Sequence, residues 1–311
     1  MLLGFLSLLL FATIIILVGY ITIVSWEISH PGRITAGWAL AHHWPACPTD
    51  VGLRFEEWSL DRPGGVVLPI WDIPPDDAAS TRAKDDPPIS VVVLHGWGRS
   101  RIDSLARVTS LLKDPPGGSR NFRTILPELR GHGDAPPGAT TLGARDVDDV
   151  HELLQQLGDG PVILIGHSLG AVIALHVAAM DADRGRIGAV IALAPYDRLS
   201  TPFNGYLRSR EYPAGPLAGC MMLLLRLFGR DLPDTQDVAG RIKARVDVVA
   251  GSDDRVIPPS VGRMISDRIE ASRFHDMTGT SHSNHHRKDP ELISRLLDEA
   301  LRHSASAKFR A

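Results

Sequence analysis

One serine in this chain lies in a pentapeptide whose residue types favour nucleophilic chemistry. The sequence G-H-S-L-G at 166–170 follows the apolar run 162–165 and leads into the apolar stretch 169–180. This order predicts a strand, a sharp turn and a helix, with Ser168 in strained backbone between two glycines that allow close approach. The N-terminal end of a helix starting at Leu169 favours negative charge beside the serine. We therefore predict that Ser168 is a nucleophile.

A serine at neutral pH needs a base, and the base needs a carboxylate that orients it. In a strand–turn–helix setting these partners follow the serine in the order acid, then histidine. The acid candidates are Asp253 and Asp254, just after the apolar run 246–250, and the base candidate is His282. Three alternatives remain open, namely Asp197 as the acid and His285 or His286 as the base.

The pattern around these residues predicts strands that alternate with helices, and therefore a mostly parallel sheet covered on both faces. A turn signal at 62–65 predicts an antiparallel hairpin at the start, and the polar segment 74–88 is expected to be an exposed loop. The expected strands are 53–58, 66–71, 89–94, 122–126, 162–165, 187–193, 246–250 and 274–277, and the expected helices are 102–112, 146–157, 169–180, 261–269 and 290–303.

The segment 197–241 interrupts this alternation and is expected to form a small cap above the carboxyl ends of the strands, where open α/β sheets bind ligands. Its apolar part, 217–228, has two interpretations. It is either a lid lined by Met221 and Met222 that meets an acyl chain or the bilayer, or a cap helix packed on the core. The second interpretation is slightly favoured, because most apolar helices belong to cores.

The first 26 residues carry no charged side chain, and the first charge is Glu27. About 24 helical residues span about 36 Å, against about 30 Å for the hydrocarbon core of a bilayer. We predict a single transmembrane anchor over 1–26, with Tyr20 and Trp26 in an interfacial aromatic belt. A cleaved signal peptide is the rival, but a basic n-region is missing and the apolar run is too long.

The anchor implies a membrane localisation, and its partner is the bilayer itself. Arg33, the one basic residue near the segment, lies on its C-terminal side and tips the positive-inside rule slightly toward a cytoplasmic catalytic domain. The segment 27–50 contains several prolines and is expected to be a linker or membrane-proximal collar, followed by one catalytic domain over 51–311.

The composition excludes several other classes of protein. Of 311 residues, 44% are hydrophobic and 22% charged, which is typical of a globular chain and not of a disordered or collagen-like one. Lys and Arg total 33 against 36 Asp and Glu, without a basic block, so a nucleic-acid partner is not expected. Two cysteines are too few for a disulfide framework or a Cys-based zinc site, and we expect neither a metal nor another cofactor.

The conjunction of short motifs resembles the α/β-hydrolase superfamily, in its serine lipase, esterase and aminopeptidase-like branch. The resemblance covers about 51–303, and it is specific for the fold rather than for a substrate. Its motifs are H-G-W-G at 95–98, R-G-H-G at 130–133, the pentapeptide around Ser168, G-x-x-D at 251–254 and G-x-x-H at 279–282.

The resemblance implies an α/β-hydrolase fold with Ser168 as nucleophile, Asp254 as acid and His282 as base. It further implies that the backbone N–H groups of Trp97 and Leu169 form the oxyanion hole. The expected activity is cleavage of a carboxylic ester, thioester or amide through an acyl-enzyme, on a small-molecule or lipid acyl substrate. A cofactor-free acyltransferase would share every motif, and a non-catalytic binding protein on the same fold is the alternative from another class.

Overall fold

A computed structural model of the chain describes residues 2–76, 87–115, 118–212, 216–230 and 232–306. Its centre is one eight-stranded sheet with the strand order β1-β2-β4-β3-β5-β6-β7-β8. The strands are β1 (Glu56–Arg62), β2 (Val66–Ile73), β3 (Ile89–Leu94), β4 (Phe122–Pro127), β5 (Val162–His167), β6 (Ile187–Leu193), β7 (Arg245–Gly251) and β8 (Ser272–Met277).

The sheet is mostly parallel, which confirms the prediction. Strands β3 to β8 run parallel to their neighbours, whereas β2 is antiparallel to both β1 and β4. The chain leaves β3 toward β4 on one side and leaves β5 toward β6 on the other. The carboxyl ends of β3 and β5 therefore flank a topological switch point, which is where ligands bind in open α/β sheets.

Helices cover both faces of the sheet, as the alternating pattern predicts. One face is covered by α4, α5, α8 and α9, and the other by α2, α3 and α11. The helices are α1 (Leu2–Ser29), α2 (Ala36–Ala41), α3 (Arg101–Lys113), α4 (Asp146–Gln156), α5 (Leu169–Met180), α6 (Ser200–Ser209), α7 (Pro216–Leu227), α8 (Thr235–Ala239), α9 (Pro259–Ser266), α10 (His285–Lys288) and α11 (Pro290–Ser306).

The central strands supply side chains to two cores at once. In β5, Val162 and Leu164 belong to the core on one face, whereas Ile163 and Ile165 belong to the core on the other. Successive side chains of a strand point to opposite faces, so a strand that is buried on both needs a continuous apolar run. This requirement explains why β5 is apolar from Val162 to Ile165.

The boundaries of several elements differ from the predicted ones. The first strand begins at Glu56 and continues to Arg62, and every residue of it is paired with β2. The helix expected over 261–269 starts earlier, at Pro259, and ends at Ser266. Most of the loop expected over 74–88 lies outside the described residues.

The segment 27–50 packs on the catalytic domain along part of its length. It contains α2, whose Ala39 is fully buried in the core on the α3 and α11 face. Thr35 caps this helix by accepting a hydrogen bond from the backbone N–H of Trp38. The segment therefore joins α1 to the sheet through contacts of its own.

The N-terminal helix α1 is apolar and is exposed over most of its length. It is the one helix in the described part of the chain whose length and composition would let it cross a membrane, features that anchors and signal sequences share. Its last turns differ from the rest, because Val24 and Ile28 are buried. They join a third apolar cluster with α6 and α7.

Helix α7 packs against α1 and α6 rather than on the sheet. Met221 and Leu225 are buried in the third cluster, whereas Leu223, Leu227 and Phe228 are exposed. Of the two interpretations of this segment, the packing favours a cap helix, although α7 packs on α1 and α6 and not on the sheet. Met221 is buried in this cluster and does not line the cavity that holds Ser168.

Candidate active site

Ser168 lies in a sharp turn between β5 and α5, with backbone angles φ 53° and ψ −113°. A positive φ costs a non-glycine residue about 1–3 kcal/mol, so the surrounding structure must hold it. The Ser168 N–H donates to the carbonyl of Leu193 at 2.8 Å. A Cβ atom at Gly166 would lie 2.3 Å from the Gly170 carbonyl oxygen, and one at Gly170 would lie 2.3 Å from that of Leu94. Both glycines are therefore required for the turn.

His282 and Asp254 complete a hydrogen-bonded chain that begins at Ser168. The Ser168 hydroxyl donates to Nε2 of His282 at 3.1 Å, and Nδ1 of His282 donates to Oδ2 of Asp254 at 2.7 Å. The other oxygen of Asp254 accepts the backbone N–H groups of Val256 and Ile257, both at 2.8 Å. The buried carboxylate is thus fixed in one orientation that selects the histidine tautomer with a free Nε2.

The other two candidates for the acid, Asp253 and Asp197, have other hydrogen-bond partners than His282. Asp253 is exposed and accepts a hydrogen bond from the hydroxyl of Ser252. Asp197 is bound by the guanidinium of Arg198 and the hydroxyl of Thr201. Neither carboxylate is hydrogen-bonded to His282 in the described part of the chain, and the geometry brings Asp254 alone of the three to this imidazole.

The alternative bases also have different surroundings. His285 is fully buried, and neither of its ring nitrogens has a hydrogen-bond partner among the described residues. Burial lowers its pKa to about 4. Nδ1 of His286 lies 3.3 Å from the guanidinium of Arg107, and burial lowers the pKa of this histidine to about 4 as well.

His167 is a positioning residue that the sequence reasoning missed. Its Nε2 donates to the backbone carbonyl of His282 at 2.7 Å, and the two rings lie 5.1 Å apart. Burial holds the pKa of His167 well below its usual value, so the ring stays neutral. The signal was its place inside the pentapeptide, directly before Ser168, but nothing in the sequence indicated that it would support His282.

Trp97 and Leu169, whose backbone N–H groups are the predicted oxyanion donors, are both at the cavity beside Ser168. Trp97 follows β3, Leu169 begins α5, and both residues line the cavity. The N–H of the first residue of a helix has no carbonyl partner within that helix. Neither backbone N–H donates to another described residue outside the regular elements. Both remain available for an oxygen atom bound near Ser168.

The cavity above Ser168 has a volume of about 310 Å³, at the lower end of the range for small-molecule sites. We call the side that carries Ser168, His282, Trp97 and Leu169 the catalytic wall. A second part of the lining, which we call the apolar wall, belongs to α6, the residue before it and the end of α1. Its members are Ile28, Leu199, Phe203 and Tyr206.

No sequence signal pointed to the residues of the apolar wall, because they come from segments that were expected to be linker or cap. Leu142 and Val256 also line the cavity and were likewise not singled out. No group of three or more His, Cys, Asp or Glu side chains arranged to hold a metal ion occurs in the described ranges of the chain.

Comparison with known proteins places this geometry in a family. A model of an alpha/beta hydrolase family matches residues 91–296, which include the three members of the hydrogen-bonded chain. The chain belongs to the alpha/beta hydrolase family. An esterase from Pyrococcus furiosus has the same fold, with a TM-score of 0.66, 16% sequence identity, and coverage of 89% of this chain and 97% of that one.

Curated relatives of this hydrolase include an esterase and a lipase. A pimeloyl-[acyl-carrier protein] methyl ester esterase from Chromobacterium violaceum is 28% identical over 231 residues, which are 62% of this chain and 87% of the relative. Lipase LipV from Mycobacterium tuberculosis is 39% identical over 69 residues, 22% of this chain, and the match spans 26% of the lipase. This chain is therefore an esterase-like member of the family.

Proposed function

We propose that this protein is a membrane-anchored serine hydrolase that cleaves carboxylic esters with an apolar acyl group through an acyl-enzyme. The observation that carries the proposal is the hydrogen-bonded chain from Ser168 through His282 to Asp254 at the floor of an apolar cavity. A nucleophile, a base and an orienting carboxylate at hydrogen-bond distance are the constellation that acyl transfer requires.

In the first half of the reaction, Oγ of Ser168 attacks the ester carbonyl carbon while His282 takes the hydroxyl proton. The carbonyl oxygen becomes an oxyanion that the N–H groups of Trp97 and Leu169 stabilise. Asp254 stabilises the imidazolium without taking a proton. The intermediate collapses, His282 protonates the departing alkoxide, and an acyl-Ser168 ester remains.

In the second half, water replaces the alcohol. His282 removes a proton from the water as it attacks the acyl carbonyl, and a second oxyanion forms at the same two N–H groups. Collapse breaks the bond to Oγ of Ser168, and His282 returns the proton to that oxygen. The carboxylic acid leaves, and the enzyme is restored without a cofactor.

The contacts of α1 favour a retained anchor over a cleaved signal peptide. Its end is buried against α6 and α7, and the indole N–H of Trp97 donates to the carbonyl of Ile28 at 2.9 Å. A segment that is removed would not contribute to the folded domain in this way. The exposed Leu223 and Leu227 on the neighbouring α7, and Phe228 just after it, add apolar surface beside the anchor. We place the catalytic domain on the cytoplasmic side, on the strength of Arg33.

Labelling by a fluorophosphonate probe tests the proposed nucleophile. The full-length wild type in detergent should label, and Ser168→Ala should not. Ser281→Ala, which removes an exposed hydroxyl next to His282, is the matched control and should label as the wild type does. A folded wild type that does not label, or a Ser168→Ala variant that does, would overturn the proposal in favour of a non-catalytic binding role or another nucleophile.

Competition between water and an alcohol acceptor distinguishes the hydrolase from an acyltransferase with the same residues. We expect the free acid to be the main product from a p-nitrophenyl ester in the presence of a primary alcohol at millimolar concentration. Predominant ester exchange under these conditions would assign the protein as an acyltransferase.

A further inference from the structure

The end of α1 reaches the cavity that holds Ser168. Ile28 belongs to the apolar wall of this cavity and is itself buried. The carbonyls of the last turn of a helix lack partners within that helix. That of Ile28 accepts a hydrogen bond from the indole Nε1 of Trp97 at 2.9 Å. Ile28, two residues beyond the predicted anchor but still within α1, thus contacts both the cavity and a residue proposed for the oxyanion hole.

Glu27 ties the same turn to the apolar wall. Its carboxylate accepts a hydrogen bond from the hydroxyl of Tyr206 at 3.0 Å, and the ring of Tyr206 packs edge-on against Trp97 with 5.6 Å between centroids. Burial and this hydrogen bond raise the pKa of Tyr206 to about 12. The phenol therefore remains a donor across the working pH range.

Ser29 fixes the turn from the other side. Its carbonyl accepts the backbone N–H of Thr140 at 2.8 Å, and its hydroxyl accepts a hydrogen bond from Arg230. Hydrogen bonds from four residues distant in the sequence therefore converge on three consecutive residues. A helix that served only as an attachment to the membrane would not need this set of polar contacts at its end.

We propose that the last turn of α1, residues 27–29, is a specificity and positioning element of the active site. The side chain of Ile28 sets the length of acyl chain that fits, and its carbonyl positions Trp97 for oxyanion binding. This inference rests on the proposed ester hydrolysis. Residues 27–29 lie within about one helical turn of the uncharged stretch, so the cavity is placed at the level of the membrane surface. This position favours esters whose acyl chain partitions into the bilayer.

The test of specificity compares the same substitution at two places on α1. Ile28→Trp fills the cavity, and the ratio of kcat/KM for octanoyl to acetyl p-nitrophenyl esters should fall at least tenfold, since single methylene differences are worth about 10–200-fold in such pockets. Ile28→Ala should shift the ratio in the opposite direction. Ile23→Trp is the control, because Ile23 is exposed on the same helix, and its ratio should equal that of the wild type.

The test of positioning uses Trp97→Phe, which removes the indole N–H and keeps an aromatic ring against Tyr206. We expect kcat to fall about tenfold with little change in KM, since the lost contact acts on transition-state stabilisation. Trp26→Phe, at an exposed tryptophan of α1, should leave both constants unchanged. A rise in KM with kcat unchanged would instead indicate that Trp97 only lines the pocket.

Fluorophosphonate labelling of each variant separates this inference from the proposed function. If the wild type does not label, the proposed function fails. If wild type and Ile28 variants label equally and both Ile28 variants keep the wild-type chain-length ratio, the hydrolase stands and the specificity role of Ile28 is refuted. Labelling in all variants, with opposite shifts for Ile28→Trp and Ile28→Ala, supports the inference.

Discussion

The two walls of the cavity are held by different kinds of contact. The catalytic wall consists of turns at the carboxyl ends of parallel strands, where backbone hydrogen bonds and glycine contacts fix Ser168. The apolar wall is held by side-chain contacts between residues far apart in the sequence, such as Tyr206 with Glu27. The difference indicates that the chemistry depends on local turns, whereas substrate choice depends on how α1 and the cap meet.

This contrast predicts that substitutions on the catalytic wall lower kcat by orders of magnitude. Substitutions on the apolar wall should instead change which ester is preferred. The kinetic constants are measured on the full-length protein in detergent, with matched variants of similar thermal stability.

The largest effect is expected for His282→Gln, which removes the proposed base. We expect kcat to fall by about 10⁴-fold or more, because loss of either the nucleophile or the base disables the whole group. His286→Gln is the control, since His286 is a nearby histidine that contacts Arg107 instead of Ser168. Steady-state kinetics with p-nitrophenyl butyrate measure kcat for both variants. A His286 variant that is as inactive as the His282 variant would show that the base is misassigned.

A loss of about 10³–10⁴-fold in kcat is expected for Asp254→Asn. The amide oxygen of the substituted side chain would still accept hydrogen bonds from the backbone N–H groups of Val256 and Ile257. The amide NH₂ group would then face His282 and select the wrong tautomer of its imidazole. Asp253→Asn changes the adjacent exposed carboxylate and should retain nearly full activity. Equal losses in the two variants would contradict the assignment of Asp254.

A smaller effect is expected on the apolar wall for Phe203→Leu. The shorter side chain enlarges the cavity, so kcat/KM should increase about tenfold for longer acyl chains relative to acetyl, with kcat on short esters nearly unchanged. Phe228→Leu makes the same change at an exposed residue just after α7, which does not line the cavity. If kcat for every ester collapsed in Phe203→Leu, the proposed division between the walls would be wrong.

The smallest effect concerns the stability of the folded protein at acid pH. His167 and His285 are buried near Ser168 with lowered pKa values, that of His285 being about 4. Between pH 6.5 and 4 the unfolded chain binds more protons than the folded one, so stability is lost as pH falls through this window. Each such histidine contributes about 1.4 kcal/mol per pH unit, or a few degrees in Tm.

Thermal unfolding between pH 7 and pH 5 measures this loss. His285→Gln should reduce the dependence of Tm on pH, whereas His303→Gln, at an exposed site on α11, should leave it as in the wild type. An unchanged slope in His285→Gln would contradict a neutral buried imidazole at this position.

Local patterns were sufficient to predict most of the sheet and the position of Ser168. The apolar run of β5 and the spacing of Gly166 and Gly170 express steric requirements that lie within a few residues. The helix α5 was predicted with its observed bounds for the same reason. The choice between Asp253 and Asp254 already needed a family resemblance, because both follow the same strand.

The apolar wall could not be predicted in this way. The contact of Trp97 with Ile28 joins residues 69 positions apart, and that of Tyr206 with Glu27 joins residues 179 positions apart. Their partners are chosen by the packing of α1 against α6 and α7, which leaves no periodic signal in the sequence. For the same reason the sequence left two interpretations of the segment 217–228 open, and only the structure shows that Met221 is buried in the cluster with α1 and α6.

The central claim is that Ser168 carries the acyl group during turnover, and mass spectrometry of acid-quenched enzyme tests it most directly. After mixing with p-nitrophenyl butyrate, the wild type should show one butyryl adduct, located by peptide mapping on the segment that contains Ser168. The adduct should be absent in Ser168→Ala. Ester turnover by the wild type without an adduct on Ser168, or with one on a different side chain, would contradict the account.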